Sequence, residues 1–397
     1  MLTMEMLQDA KKVLAGVARK TPLFPSTYIN PEADIYIKCE NMQVTGSFKL
    51  RGAYFKTSSL AEEEAKKGVI ACSAGNHAQG VALAAQKRGI PAVICMPESA
   101  PLAKVEATKS YGAEVVLVPG VYDDAAAKAV ELQGEKGYTF LHPFNDEYVI
   151  AGQGTVGMEI MEQVEDAEVV LVPIGGGGLI SGVAYAVKQL NPSCKVYGVQ
   201  AEGAPSMKKS LEEGKIGKLA DVSTMADGIA VKQPGDLTFE MCRKYVDGVI
   251  TVSEEEIAQA ILLLMEKHKM VAEGAGAVSV AAAMQNKVDI KGKKVVCVIS
   301  GGNVDVNILD RILDKALQAQ GRLTKFSVIM MDKPGELTQL LHAIAETGAN
   351  IFSVNHDRMV KDIAVSKCIV DVVVETRNKE HSEELLNTLK KDGYIIQ

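Results

Sequence analysis

A lysine in a short polar segment is the first residue of this chain with clear potential for covalent chemistry. Lys49 lies in Thr45-Gly46-Ser47-Phe48-Lys49-Leu50-Arg51-Gly52, which predicts a glycine-interrupted turn followed by the start of a helix. A lysine amine with its ordinary pKa of about 10.4 is a poor nucleophile at neutral pH. Partial burial, or imine formation with an aldehyde, would make it reactive. An ordinary exposed lysine at a helix start is the alternative, and the local sequence leaves both open.

A run of four glycines supplies the second candidate group. Gly175-Gly176-Gly177-Gly178 follows the apolar run 169–174 and precedes Leu179, where a helix is predicted to start. Successive backbone N–H groups at a helix N-terminus bind phosphate, and four adjacent glycines lose more conformational entropy than a plain turn requires. The run lacks the Lys-Ser/Thr ending of a P-loop and the spacing of a dinucleotide fingerprint. We therefore predict a small phosphate-bearing ligand rather than a nucleotide cofactor.

A polar loop, Ser73-Ala74-Gly75-Asn76-His77, follows the predicted strand 68–71. Its backbone N–H groups could bind a carboxylate, and the side-chain amide of Asn76 could donate a hydrogen bond to a phenolate oxygen. His77 is equally well explained as a histidine at a helix start whose ring is satisfied locally. We assign His77 no role in proton transfer.

A second polar loop, Ser300-Gly301-Gly302-Asn303, follows the predicted strand 293–299. Ser300 could bond a ring nitrogen, although a strand-end cap explains it as simply. Ligands of parallel α/β sheets bind beyond the carboxyl ends of the strands, where all three of these loops are expected. A lysine that can form an imine and a glycine loop that can hold a phosphate together predict pyridoxal phosphate (PLP) as the cofactor.

The elements that position these residues alternate between strands and helices from about residue 66. The predicted strands are 68–71, 92–95, 114–118, 169–174, 195–199 and 293–299, and the predicted helices are 79–88, 104–110, 123–136 and 154–163. This alternation indicates an α/β fold with parallel sheets covered by helices on both faces.

The pattern changes near residue 322. Beyond it the sequence predicts strand 325–331, helix 336–347, strands 351–356 and 366–374, helix 382–391 and a short strand 394–396. That βαββαβ order is typical of a ferredoxin-like unit. We predict a catalytic domain over 1–322, with a small subdomain at about 45–150 inserted in the large one, and a C-terminal domain over 323–397.

Composition and charge limit the class of protein. The chain has 397 residues with a formal net charge of −7 and no tryptophan, which argues against binding to a nucleic acid polymer or an anionic membrane. Its seven cysteines form neither a CxxC pair nor a cluster with histidine, which indicates a reducing compartment and predicts no metal site. We recognise neither a signal peptide nor a membrane-spanning run, and we predict a cytoplasmic location.

Five motifs in this order resemble the fold-type II PLP enzymes. They are Ser47-Phe48-Lys49-Leu50-Arg51-Gly52-Ala53, Ser73-Ala74-Gly75-Asn76-His77-Ala78-Gln79-Gly80, Ala151-Gly152-Gln153-Gly154-Thr155, Gly175 to Leu179, and Ser300-Gly301-Gly302-Asn303. The likeness covers about residues 5–320 and is greatest to threonine dehydratases (threonine ammonia-lyases), with serine racemases and serine dehydratases as near relatives. It implies β-elimination of water from threonine, which gives 2-oxobutanoate and ammonia. The same reaction on serine, which gives pyruvate, is also expected from the family.

The resemblance also implies a role for each site residue. Lys49 would form the Schiff base with PLP and then remove the substrate α-proton, and Phe48 would pack beside the pyridine ring. Asn76 would bind the 3′-oxygen, and Ser300 would face the ring nitrogen. The phosphate would be held by the amides of Gly175, Gly176, Gly177, Gly178 and Leu179. The substrate carboxylate would be held by Ser73, Asn76 and His77, largely through their amides.

One position differs from the serine racemases. The residue after Ser73 is a second serine in that group, where it acts on the opposite face of the substrate, but here it is Ala74. We therefore expect dehydration with little racemisation. The alternatives are a serine racemase or serine dehydratase, a cysteine or threonine synthase, and a catalytically silent amino-acid sensor. Intact Lys49, Asn76 and Ser300 argue against the sensor.

The C-terminal segment resembles an ACT regulatory domain through Asp332-Lys333-Pro334-Gly335-Glu336-Leu337 and Gly348-Ala349-Asn350-Ile351. Related domains bind amino acids near the helix start and near the asparagine, which makes Gly335, Leu337 and Asn350 the candidate regulatory residues. The resemblance implies allosteric control by an amino-acid or nucleotide effector, with isoleucine as one candidate. A dimerisation domain without a ligand is the alternative. The family expectation is a homodimer or homotetramer.

Overall fold

The computed structural model describes residues 2–360 and 363–397. They form two compact units, the first ending at Val306 and the second running from Asn307 to Gln397. In the described residues, no helix has both the length and the apolar character needed to cross a membrane.

The first unit is built from alternating helices and strands. Its helices are α1 (Met4–Leu14), α2 (Lys49–Ser58), α3 (Glu62–Lys67), α4 (Asn76–Arg88), α5 (Leu102–Ser110), α6 (Tyr122–Lys136), α7 (Glu147–Gln163), α8 (Gly178–Leu190), α9 (Ser206–Glu213), α10 (Asp236–Tyr245), α11 (Glu254–Leu263) and α12 (Gly274–Met284). Its strands are β1 (Leu23–Ser26), β2 (Asp34–Cys39), β3 (Val69–Cys72), β4 (Ala92–Pro97), β5 (Glu114–Val118), β6 (Thr139–Phe140), β7 (Val169–Pro173), β8 (Lys195–Ala201), β9 (Gly248–Val252) and β10 (Lys294–Ile299).

The strands of this unit form two sheets. The larger has the order β1-β2-β10-β7-β8-β9 and is parallel except for β1, which pairs antiparallel with β2. The smaller has the order β5-β4-β3-β6 and is parallel throughout. Strands β7 and β3 are buried along their whole length, as expected for parallel sheets covered by helices. The predicted α/β fold with two parallel sheets is confirmed, and the strands of the smaller sheet lie within the predicted subdomain 45–150.

Strands β1 and β2 were not among those predicted from the sequence. In β2 the apolar residues Ile35, Ile37 and Cys39 alternate with Asp34, Tyr36 and Lys38, so the pattern alone favours an exposed position for Lys38. The structure buries Lys38 completely, and its amine donates to Glu159 Oε2 at 2.6 Å and to the carbonyl of Thr21 at 2.9 Å. A partner more than a hundred positions away in the sequence is what makes this strand possible.

The polar loops singled out in the sequence follow strand ends. Ser73 comes directly after β3, Gly175 follows β7, and Ser300 comes directly after β10. β7 and β10 are adjacent in the larger sheet, whereas β3 belongs to the smaller one. The predicted position at carboxyl ends is therefore right, but the site draws on two sheets rather than one edge.

The second unit contains an antiparallel sheet with helices packed against it. Its elements are α13 (Val306–Ala319), β11 (Leu323–Met331), α14 (Glu336–Glu346), β12 (Asn350–Asp357), β13 (Lys367–Glu375), α15 (Lys379–Lys391) and β14 (Ile395–Ile396). The sheet order β12-β13-β11-β14 and the antiparallel pairing confirm the predicted ferredoxin-like βαββαβ arrangement. Its core includes Val328, Leu340, Val370 and Leu385.

The division into units comes earlier than the predicted boundary near residue 322. Helix α13 is grouped with the second unit, apart from its first residue, Val306. Sequence reasoning placed the boundary where the strand pattern of the ferredoxin-like unit begins. The helix in front of that unit could not be assigned to either side from periodicity alone.

Candidate active site

Lys49 is the first residue of α2, and its side chain is half-buried within the first unit. Its Nζ donates a hydrogen bond to the carbonyl of Pro143 at 2.8 Å and lies 5.3 Å from the centroid of the Phe48 ring. Burial lowers the pKa of Lys49 to about 8, while the negative charge of Glu273 acts in the opposite direction. A lysine with a lowered pKa is unprotonated in a larger fraction near neutrality and can act as a nucleophile.

The four glycines form a loop in which neighbouring atoms leave no room for side chains. A Cβ atom on Gly176 would lie 2.3 Å from the Phe144 ring, and one on Gly178 would lie 2.9 Å from Phe144 Cα. Gly177, the residue that precedes α8, has a φ of 99°, which favours glycine. Phe144 follows Pro143, whose carbonyl accepts from Lys49, so one short segment contacts both the lysine and the glycine loop.

The amides of this loop are available to a ligand. In the described residues, no hydrogen bond is donated by the backbone N–H groups of residues 175–179. Two of these amides, those of Gly178 and Leu179, belong to the first turn of α8, where N–H groups have no partner within the helix and favour an anion. A side-chain-free loop with unpaired amides fits a phosphate group.

Asn76 begins α4 and is fixed by two side chains. Its Oδ1 accepts from Asn303 Nδ2 at 2.7 Å, and its Nδ2 donates to Glu273 Oε1 at 2.7 Å. Asn303 Nδ2 also donates to the carbonyl of Thr45 at 2.8 Å. These contacts bring together three of the predicted motifs, those containing Lys49, Asn76 and Ser300.

The ring of His77 is not available to a substrate. It is buried, and its Nε2 donates to the carbonyl of Leu141 at 2.8 Å. Burial, reinforced by the charge of Lys49, lowers the pKa of His77 to about 3, so the imidazole is neutral at physiological pH. Ser73 is half-buried, and its Oγ accepts from the amide of Gly75 at 3.2 Å. A carboxylate could therefore be bound here by backbone amides rather than by the histidine ring.

Ser300 lies next to the lysine segment through the backbone. Its carbonyl accepts from the amide of Phe48 at 3.1 Å, and Ser47 forms an antiparallel bridge with Gly301. The side chain is 3% exposed, and its Oγ donates to the carbonyl of Ala275 at 3.3 Å. A hydroxyl with this weak contact can turn towards a ligand atom, because it rotates about its C–O bond.

Sequence reasoning missed two parts of this site. Glu273 contacts Asn76 and acts on the charge of Lys49, and the segment Pro143-Phe144 covers the glycine loop. A signal for Glu273 was present, since a lone carboxylate between Val271-Ala272 and Gly274-Ala275 is unusual in an apolar stretch. Nothing local marked Phe144 for this role, because its contacts with Gly176 and Gly178 join residues more than thirty positions apart.

The candidate regulatory residues lie at different ends of the sheet of the second unit. Gly335 precedes α14 with a φ of 94°, just beyond the end of β11, and Leu337 packs against the core of the unit. Asn350 begins β12, and its Nδ2 donates to Glu375 Oε2 at 2.8 Å, beside the start of β11. A strand rises about 3.3 Å per residue, so the nine residues of β11 separate the two places. Gly335 and Asn350 therefore do not form one pocket within a single chain.

Comparison with known proteins identifies the family. A family model described as pyridoxal-phosphate dependent enzyme matches residues 14–301, and the chain belongs to this family. PLP is thus its cofactor, as predicted. The chain is 52% identical to the L-threonine ammonia-lyase of Thermotoga maritima over 399 residues, covering 100% of this chain and 99% of that protein.

Two solved structures resemble the chain over most of their length. Threonine deaminase isoform 2 from Solanum lycopersicum, in its processed form, has a TM-score of 0.75 at 40% identity, covering 79% of this chain and 88% of that chain. Maize serine racemase has a TM-score of 0.75 at 38% identity, covering 80% and 98%. The fold is thus shared by a deaminase and a racemase, and the residues of the site must distinguish them.

Proposed function

We propose that the protein is a threonine ammonia-lyase that converts L-threonine to 2-oxobutanoate and ammonia by β-elimination of water, and L-serine to pyruvate. The central observation is the amine of Lys49, whose pKa is lowered by burial to about 8 and which donates to the carbonyl of Pro143, next to the Phe144 that covers the glycine loop. The name of the 52% identical relative supports threonine as the substrate. PLP, when bound, supplies an electron sink for the negative charge that develops at the substrate α-carbon.

The protein residues would hold the cofactor and move one proton. Lys49 Nζ would attach the cofactor and accept the α-proton, since its lowered pKa suits a base near neutrality. We assign the contacts with the PLP ring to Phe48, Asn76 and Ser300. The contacts with the PLP phosphate are assigned to Gly175, Gly176, Gly177, Gly178 and Leu179. Ser300 is neutral and leaves the ring nitrogen largely unprotonated, which favours rapid loss of the β-hydroxyl.

The substrate carboxylate would be held at the start of α4. The proposed contacts are the hydroxyl of Ser73 and the amides of Asn76 and His77, because the amide of Ser73 already donates to the carbonyl of Cys95 at 3.2 Å and the His77 ring is bonded to Leu141. Ala74 has no group that can carry a proton, so the face of the substrate opposite Lys49 lacks an acid at this position. This feature favours elimination over racemisation.

Product analysis tests the proposed reaction. We expect L-threonine alone to give equal amounts of 2-oxobutanoate and ammonia, and L-serine to give pyruvate with D-serine at about 1% of the keto acid or less. Keto acid would be measured by reduction coupled to NADH oxidation, and serine enantiomers by chiral chromatography. Serine interconversion at a rate comparable to pyruvate release would favour the racemase. A requirement for a second nucleophile would favour a cysteine or threonine synthase.

A methyl group added at Gly176 should weaken PLP binding at the proposed phosphate site. In Gly176→Ala the new Cβ meets the Phe144 ring, so either the ring or the loop must move. Overpacking of this kind costs about 1–3 kcal/mol, and we expect the PLP dissociation constant to rise about 10- to 100-fold. Equilibrium dialysis of the apoprotein with PLP measures it.

Gly134→Ala is the matched control for this substitution. Gly134 lies in α6, and a Cβ there would have no atom within 4 Å. PLP affinity should stay at the wild-type value, because the added methyl group only raises helix propensity. Equal affinity in both variants would contradict the assignment of Gly176 to the phosphate site.

We propose that the second unit is an ACT domain that regulates the enzyme. An amino-acid effector such as isoleucine, or a nucleotide such as AMP, is the candidate, and the βαββαβ order supports this. The proposed contacts are Gly335 and Leu337 at one end of the sheet and Asn350 at the other. Turnover of threonine would be measured with and without isoleucine, valine, AMP and ADP, in the full chain and in a chain ending at Val306. We expect an effector to change the full chain only. An unchanged response after truncation would contradict the proposal.

We also propose a cytoplasmic homodimer or homotetramer. All seven cysteines are buried and unpaired, which suits a reducing compartment. Light scattering of the purified protein measures the assembly, and a monomeric mass would contradict it.

A further inference from the structure

A chain of hydrogen bonds fixes the side-chain amide of Asn76. The carbonyl of Thr45 can only accept, so the end of Asn303 that faces it at 2.8 Å is the NH₂ group. The same nitrogen lies 2.7 Å from Asn76, which must therefore present its Oδ1 to Asn303. The remaining end of Asn76, Nδ2, donates to Glu273 Oε1 at 2.7 Å. Both orientations in this chain follow from the single carbonyl at its start.

This arrangement leaves one hydrogen of Asn76 for a ligand. A primary amide nitrogen carries two hydrogens, and Glu273 takes one of them. We propose that Glu273 is a positioning residue. Its carboxylate orients Asn76 so that the second hydrogen of Asn76 Nδ2 points at the phenolate oxygen of PLP, and the negative charge of Glu273 lies beside that contact. The inference rests on the proposed function, because it assumes that Asn76 binds this oxygen.

The surroundings of Glu273 are built to hold a carboxylate in this place. The residue is 4% exposed, and its amide donates to the carbonyl of Gly301 at 3.1 Å. A Cβ on Gly301 would lie 2.5 Å from Glu273 Oε1 and 3.1 Å from Asn76 Nδ2. Glycine at position 301 is thus what allows the carboxylate and the amide to meet.

Charged groups on three elements face Glu273. Asp227 lies in the short helical turn 227–229, Lys104 lies in α5, and Lys49 begins α2. Burial and the charge of Asp227 raise the pKa of Glu273 to about 7, against the bond from Asn76, the charge of Lys104 and the amide of Asn303. Lys104 Nζ also pairs with Asp227 Oδ2 at 2.7 Å. The carboxylate therefore changes its charge within the working range of an enzyme at neutral pH.

The substitution Glu273→Gln tests the charge of this side chain separately from its hydrogen bond to Asn76. The glutamine oxygen can still accept from Asn76, but the side chain cannot ionise. In the wild-type holoenzyme we expect the absorbance of bound PLP to change with pH as Glu273 gains its charge, because the carboxylate is bonded to Asn76. In Glu273→Gln this transition should disappear between about pH 6 and 8.5, with PLP affinity within about threefold of wild type. Glu255→Gln, on the exposed side of α11, is the control and should keep the transition.

Glu273→Ala removes both the charge and the hydrogen-bond acceptor of this side chain. Asn76 Nδ2 then loses its buried acceptor, and we expect PLP affinity to fall about tenfold or more. An unchanged spectral titration in Glu273→Gln would overturn the inference, as would wild-type PLP affinity in a folded Glu273→Ala. If the wild-type protein itself bound no PLP, the proposed function would fail instead. If wild type bound PLP and produced 2-oxobutanoate while both variants behaved like it, only this inference would fail.

The apoprotein gives a readout that does not depend on the cofactor. The folded-state pKa of Glu273 is raised from 4.5 to about 7, so the stability it contributes is fully present below about pH 4.5 and is lost as the pH rises from there through 7. The thermal midpoint of wild-type apoprotein should therefore fall relative to that of Glu273→Gln between about pH 4.5 and 7, and the difference should level off at higher pH. A constant difference over this range would mean that Glu273 does not titrate, and would overturn the inference.

Discussion

Replacing Lys49 with alanine should abolish turnover of threonine. The amine is both the proposed attachment point of PLP and the proposed base, so its loss should reduce kcat by roughly three orders of magnitude or more. Borohydride reduces a lysine–aldehyde C=N bond to a stable amine. It should therefore label residue 49 of the wild-type protein with the cofactor, as seen by peptide mass spectrometry, and leave the variant unlabelled at this position.

The loss should not reflect unfolding. Burial lowers the pKa of Lys49 to about 8 in the folded chain, so the charged amine opposes folding below that pH. Alanine removes this term, and at pH 7 Lys49→Ala should be at least as resistant to thermal unfolding as wild-type apoprotein, which lacks the stabilisation by bound PLP. Lys66→Ala, at an exposed position of α3, is the control and should keep both turnover and labelling. Labelling of wild type at another lysine, or turnover by Lys49→Ala, would contradict the assignment of Lys49.

The parts of the site that could be predicted from the sequence are those whose chemistry depends on a local segment. A glycine run before a helix carries its own amides, and Lys49 lies in a short motif with its flanking residues. For the same reason, the predicted bounds of most strands and helices lie within a few residues of the observed bounds. β5, for example, has the predicted bounds 114–118, because apolar periodicity is a local property.

The parts that could not be predicted depend on distant partners. Glu273 acquires its role only when α12 places it against Asn76, and Phe144 covers Gly176 only after β6 and α7 have brought it there. β2 likewise depends on Glu159, which neutralises a buried lysine. In each case the residue type conflicts with its local pattern, or is neutral to it, and tertiary contacts decide the outcome.

A buried network of charges supports the helix that carries Lys49. Arg51, two residues further along α2, donates to Glu40 through Nε and Nη2, both at 2.8 Å, and to Glu159 through Nη1 at 2.6 Å. Arg51 and Glu40 are 1% and 0% exposed. Burial opposes these charges, but Arg51 keeps the pKa of Glu40 lowered, and Glu40 and Glu159 keep that of Arg51 raised. With Lys38, the network holds two positive and two negative groups, and it joins β2, α2 and α7.

Arg51→Leu should therefore be among the most destabilising single substitutions in the first unit. It leaves Glu40 buried without its cation, and breaking such a pair from one side costs about 3–5 kcal/mol. Arg51→Lys keeps a positive charge but loses the bidentate contact with Glu40, and it should lower the free energy of unfolding by less. Arg243→Leu, which removes an exposed pair with Glu240, should cost about 0–1 kcal/mol.

Hydrogen exchange of the α2 and α7 amides measures these differences within the first unit. Arg51→Leu should also lower kcat in the folded fraction, because loss of the guanidinium frees the start of α2 and with it the amine of Lys49. Protection of α2 equal to that in Arg243→Leu would mean that the network contributes no more than a surface pair. The position of Lys49 would then depend on its contact with Pro143 and on the packing of Gly52 against α7 rather than on these charges.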